Sequence, residues 1–297
     1  MQNFEKSLDE LGDLELGNVD DINPDEILVW DPDIPSEMVN GEDIQEALGG
    51  VTKYVDIVFC IDVTASMVPI INTAKALTLN FYDDFFRAMP LSKQTLEKPS
   101  VKQLRVKVIA FRDYYCDGPY AMEESDFFEL PKQKNEFRNF VASLEAKGGG
   151  DEPENALEAM ALAMKSDWVR VTNPNTEKAR NVVVIFTDAS AHPLEKSVDG
   201  VSEYYPADML KNYNELYDAW CGSDSWCGQR PLMDYNESYA MNKNAERLVI
   251  FAPEDAYPWS DMAEEIDYAA VVPISAAEGG AELGRDTIIA TISGSMR

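Results

Sequence analysis

Four short runs constrain this chain more than any other feature: VDIVFCI at 55–61, LRVKVIAF at 104–111, NVVVIFT at 181–187 and RLVIFA at 247–252. They are apolar almost throughout instead of alternating, as strands are when both faces of their sheet are covered. Helical stretches separate them: one over 68–89, two at 133–145 and 153–168, one over 259–269 and a last one near 282–292. A further strand is expected at 270–274 (AVVPI) and an edge strand near DFFEL, 126–130. Short buried strands alternating with helices imply an α/β fold, a doubly wound, mostly parallel sheet with helices on both faces and one antiparallel edge strand.

Charge narrows the function. Against 25 basic residues stand 54 acidic ones, a formal net charge of -29 in 297 residues. Phosphate backbones and anionic lipid surfaces are repelled by such a chain, so neither nucleic acid nor a membrane is expected as its partner. The N-terminus MQNFEKSLDELGDLELG lacks the basic start and apolar run of a signal peptide, and no segment reaches 18 uninterrupted apolar residues. A soluble, cytoplasmic protein is the expectation.

Residues 1–50 carry fifteen carboxylates against one lysine, with Pro24, Pro32 and Pro35 breaking any long helix. They read as an acidic arm that does not fold alone, followed by one domain over 51–297. Its apolar patch Ile27–Trp30 (ILVW) is expected to dock on the domain or on a partner. Residues 195–245, rich in Tyr, Trp and Asn, are longer than an ordinary connection and read as an insert. Cys60 reads as a core thiol. Cys221 and Cys227 match no zinc spacing, and His192 is the single histidine.

In open α/β sheets the ligand crevice lies beyond the carboxyl ends of the strands. Three segments there carry oxygen donors. DVTAS follows the first strand and bears Asp62, Thr64 and Ser66. GGGDEPENA, 148–156, offers Asp151 after three glycines. TDASAH follows the strand at 181–187 and bears Asp188, Ser190 and His192. Each could be local, because Asp62, Ser66 and Asp151 also suit helix caps and Asp188 suits a turn. Together they form a hard-oxygen set suited to magnesium, manganese or calcium and poorly suited to zinc or copper.

Asp62-x-Thr64-x-Ser66 after a buried strand, with Asp188 after another, resembles the metal-ion-dependent adhesion site of von Willebrand factor type A domains, threonine replacing the more usual first serine. The resemblance spans about residues 52–292. FRDYY at 111–115, GGGDEPENALEAM and DASAH resemble the intracellular branch that includes the type A domain of alpha-kinases, and no kinase domain is expected within these 297 residues. It implies that Thr64 and Ser66 bind a divalent cation directly and that Asp62 and Asp188 act directly or through water. Asp151 stands where many members have threonine and adds a negative charge.

The implied function is a non-enzymatic, divalent-metal-binding scaffold module that recognises a partner protein at the sheet's carboxyl edge. One alternative is a regulatory subunit of a multi-protein stress-response or defence assembly. Another is a metal-dependent hydrolase with His192 as general base. The expected metal ligands are Asp62, Thr64, Ser66, Asp151 and Asp188, around Mg2+ or else Mn2+ or Ca2+.

Overall fold

The structure, a computed structural model, describes residues 52–88, 101–150, 152–171, 177–194, 202–221, 246–266 and 268–274. The arm at 1–50 with its Ile27–Trp30 patch, Asp151, Cys227, most of the insert and the helix expected near 282–292 lie outside the described residues.

The first apolar run forms β1, Thr52–Asp62, and its side chains divide between two cores. Val55, Ile57, Phe59 and Ile61 enter one core, while Val58 and Cys60 enter the other. A strand buried on both sides has to be apolar at odd and even positions alike, which is why the run lacks alternation. Burying each large side chain contributes about 1.5–3 kcal/mol.

β2, Val101–Phe111, and β5, Glu177–Phe186, flank β1 and run parallel to it. β6, Glu246–Ala252, and β7, Ala269–Pro273, continue the parallel sheet beyond β5. With β3 at Met122–Glu124, the strand order is β3-β2-β1-β5-β6-β7. The expected antiparallel edge consists of two short pieces, β3 (Met122–Glu124) and β4 (Phe128–Leu130), each paired with a different part of β2. Ser125 separates them; its hydroxyl accepts from the Val108 amide and its own amide donates to the Val108 carbonyl.

Helices α1 (Ile71–Ala88) and α3 (Lys134–Ser143) supply Ile71, Ala74, Phe137 and Val141 to the first core. Between them in sequence lies the short α2, Tyr114–Asp117. Helices α4 (Ala156–Met164), α5 (Tyr213–Cys221) and α6 (Trp259–Glu265) cover the other face, burying Met160, Trp220 and Trp259 among others. α5 is the described helical part of the insert. Expected to begin at 153, α4 starts at Ala156, because Glu154 bridges to the next loop and Asn155 turns its side-chain oxygen to the Tyr114 amide at 2.6 Å.

Register sets the site. Asp62 pairs with Phe111, Ile61 with Phe186, and Phe186 with Phe251, so four strands end level. Midway along β1, Asp56 is 1% exposed and receives two hydrogen bonds from Arg105, Nε to Oδ1 at 2.8 Å and Nη2 to Oδ2 at 2.6 Å. The Val169 amide adds a third at 2.6 Å.

Candidate functional site

Asp62 is the last residue of β1 and is 0% exposed. Its Oδ1 accepts from the Thr64 amide at 2.9 Å and from the Thr64 hydroxyl at 2.7 Å, while its Oδ2 accepts from the Thr187 hydroxyl at 2.7 Å. Thr187 is itself held by the Ala189 amide at 3.2 Å. Burial raises the Asp62 pKa from 3.8 to about 6, against the opposing pull of the Thr187 and Thr64 hydrogen bonds. Among the described residues no basic side chain pairs with it.

The chain of contacts continues outward. Thr64 Oγ1 and Ser66 Oγ lie 2.9 Å apart, and the Ser66 hydroxyl donates to Asp188 Oδ1 at 3.0 Å. Three contacts thus link Asp62, Thr64, Ser66 and Asp188, yet two hydroxyls supply only two protons. With one proton committed to each carboxylate, the two hydroxyl oxygens face each other with no hydrogen between them. Such a chain is completed by a proton on a carboxylate or by a cation that both oxygens can face. Asp188 also has its pKa raised by burial, with Ser66 pulling the other way.

The glycine loop closes over this chain. Its Gly148 carbonyl accepts from the Ala65 amide at 3.1 Å, and the Lys147 amide donates to the Val63 carbonyl at 2.9 Å. Gly149 has φ +81°, and a β-carbon there would lie 2.9 Å from Glu154 Oε1 and 3.1 Å from Thr64 Cβ. Only glycine fits, since a side chain would be strained and would also enter the space between Thr64 and Glu154. Gly149 is held by its amide, which donates to Asp117 Oδ2 at 2.8 Å. Arg112 anchors the loop's approach with its guanidinium donating to the carbonyls of Lys147, Tyr120 and Glu145.

Glu154 carries the least expected feature. It is 4% exposed, and its Oε2 is buried without a hydrogen-bond partner among the described residues. Burial, then the neighbouring charges of Asp62, Asp113, Asp117 and Asp188, raise its pKa from 4.5 to about 9. Its backbone joins the second and third loops: its amide donates to the Ser190 carbonyl at 3.0 Å and its carbonyl accepts from the His192 amide at 2.8 Å.

Of the expected ligands, Asp62, Thr64, Ser66 and Asp188 form one connected group, and Asp151 lies outside the described residues. Among the described residues, no three His, Cys, Asp or Glu side chains are grouped to hold a metal without the hydroxyls. Ser190 stands apart, its hydroxyl accepting from the Tyr257 amide at 3.2 Å. His192 turns its Nε2 to Asp113 Oδ2 at 3.6 Å. Burial works to raise the Asp113 pKa, but hydrogen bonds from His192 and the Tyr115 amide leave it lowered. Glu154, Thr187 and Arg112 were not singled out from sequence. The signals were adjacency alone, Thr187 preceding Asp188 and Glu154 closing DEPE.

Residues 57–190 match the family profile of the von Willebrand factor type A domain. The alpha-protein kinase vwkA of Dictyostelium discoideum is 27% identical over 155 residues, covering 52% of this chain and 21% of that protein. The chain therefore spans about a fifth of that relative's length. Among solved structures, a von Willebrand factor type A protein from Catenulispora acidiphila aligns with TM-score 0.43 and 12% identity, over 81% of this chain and 43% of the other. Proximal thread matrix protein 1 of the mussel byssus aligns with TM-score 0.40 and 9% identity, over 82% and 49% of the two chains.

Proposed function

From a chain that belongs, over residues 57–190, to the von Willebrand factor type A family, we propose a protein-interaction module that binds a divalent cation at the carboxyl edge of its sheet and recognises a partner protein there. The proton-short chain Asp62–Thr64–Ser66–Asp188 is the observation that carries this reading. The Oε2 of Glu154, unpartnered among the described residues, supports it, since a carboxyl kept protonated by burial and acidic neighbours would ionise and be relieved beside a cation. The residues present suit a hard cation.

Thr64, Ser66, Asp62 and Asp188 would hold the cation, with Asp151 as a further ligand and Glu154 near enough in charge to contribute. Hydroxyl donors and retained waters favour the compact octahedral shell of Mg2+ or Mn2+ over the larger shell of Ca2+. When bound there, a cation would supply positive charge that a partner's oxygen could meet. The chain's own residues orient the donors: Thr187 and the Thr64 amide fix the Asp62 carboxylate, and the glycine loop holds Thr64 in place.

The partner is read as a protein because net charge -29 disfavours nucleic acid and anionic membrane. No helix of the described residues is long and apolar enough to cross a membrane. A cytoplasmic scaffold role, with the acidic arm at 1–50 as a second contact, is the reading of the whole chain.

Titration of Mn2+ into chelator-treated protein, followed by electron paramagnetic resonance, tests the metal site. One tight site is expected, weakened at least tenfold in Ser66→Ala, a change that removes no charge. Identical affinity in that variant would overturn the site.

A further inference from the structure

Exposed large apolar side chains are not scattered over this molecule. Among the described residues there are six: Val68, Tyr115, Tyr120, Tyr204, Tyr257 and Tyr268. Five stand at the carboxyl edge of the sheet. Val68 follows the turn that bears Ser66. Tyr115 and Tyr120 follow β2, and Tyr204 packs its ring over Gly118, 3.3 Å from where a β-carbon would lie. Tyr257 follows β6, its amide bonded to Ser190 and its carbonyl to the Ala191 amide. The sixth, Tyr268, lies at the other end of the sheet and is already engaged, because the Arg247 guanidinium stands 4.0 Å from its ring centroid.

The same edge is strongly acidic. The loops at 62–70, 112–121, 145–155, 187–194 and 252–258 carry ten carboxylates against three basic residues, so a divalent cation bound there leaves the face negative. The three basic residues are engaged within the chain. Arg112 is spent on three carbonyls, Lys147 pairs with Glu145 at 3.1 Å, and His192 faces Asp113. A partner carboxylate would approach a surface of its own sign. A guanidinium would find both carboxylates and open tyrosine faces, the two groups that bind it best.

We infer that the carboxyl edge is a docking surface for an arginine-bearing, net-positive segment of a partner protein, read by Tyr115, Tyr120, Tyr204 and Tyr257 together with the carboxylates around the cation site. This rests on the proposed interaction role of the same edge and names the chemistry of the partner. Arginine is specified over lysine, because stacking on tyrosine and paired hydrogen bonds to carboxylate need the planar guanidinium.

The test uses three fluorescein-labelled peptides of equal length, built from alternating serine with arginine, lysine or glutamate, titrated against the full chain in Mg2+ and 150 mM salt. The arginine peptide should bind severalfold tighter than the lysine peptide, and the glutamate peptide should not bind. Tyr115→Ala/Tyr120→Ala, at side chains 70% and 75% exposed, should fold normally and weaken the arginine peptide about tenfold. Glu152→Gln, on the face, should weaken it more than Glu136→Gln, an equal charge change on the exposed side of α3. Equal binding of the arginine and lysine peptides, unaffected by the tyrosine changes, would mean attraction by net charge only and would overturn the inference. Mg2+-dependent capture of the glutamate peptide would overturn it in favour of an acidic partner. Mn2+ titration of the same samples reads the metal site separately, so loss of that site and loss of arginine preference are distinguishable.

Discussion

Strand β1 carries two buried aspartates, one midway along it and one at its carboxyl end, and the two are treated oppositely. Asp56, 1% exposed, is met by the Arg105 guanidinium on both carboxylate oxygens. Asp62, 0% exposed, is met by two hydroxyls and an amide and by no basic side chain among the described residues. Dipoles orient a carboxylate without cancelling its charge, and in a desolvated setting the uncancelled charge is costly. The middle of the strand is electrostatically closed. Its carboxyl end is left open to a cation from solution, and it is the end where the loops converge.

The largest effect should come from breaking the closed pair. Arg105→Ala leaves Asp56 buried and unpaired and should cost about 3 kcal/mol, the lower end of the range for such pairs because Arg105 is 19% exposed. In thermal melts that is a fall in Tm of roughly 6–12 °C. The open end should respond in the other direction. Saturating Mg2+ should stabilise chelator-treated protein by up to about 2.7 kcal/mol at a hundredfold excess over Kd, raising its Tm, and chelator should reverse it.

A smaller effect follows from pH in the metal-free protein. Folding raises the pKa of Asp62 from 3.8 to about 6 and that of Glu154 from 4.5 to about 9. A raised folded value means that stability is fully present below the unfolded pKa and is lost as pH climbs through the folded one. Melts in chelator should therefore lose several degrees between pH 5 and pH 9. Glu154→Gln should flatten the upper part of that fall, and a Tm that rises over this range would contradict the assignment. Smallest of all, Ser190→Ala should leave Mg2+ affinity within about twofold, since its hydroxyl serves the Tyr257 amide, whereas Asp151→Ala should weaken it more. Calorimetric titration of the two variants compares them directly.

The contrast between the two aspartates also marks where sequence reading reaches and where it stops. β1 and its neighbours were legible because strands buried on both faces must be apolar throughout, and Asp62, Thr64 and Ser66 were legible because they directly follow such a strand. The Asp56–Arg105 pair was not, since it depends on the register that sets Asp56 against Arg105 across two parallel strands. Glu154 was passed over for the same kind of reason. Its isolation exists only where the glycine loop, the β1 turn and the loop after β5 meet. The two-piece antiparallel edge and the late start of α4 likewise follow from Ser125 and Asn155 bonding to distant backbone.

The central claim, that Asp62 is held open for a cation, is met most directly by melting Asp62→Asn beside the parent protein with and without Mg2+. In chelator the variant should melt no lower than the parent, because it loses an uncancelled buried charge, and Mg2+ should no longer raise its Tm. A variant that melts well below the parent in chelator, as Asp56→Asn should, yet keeps the full Mg2+ response, would contradict it.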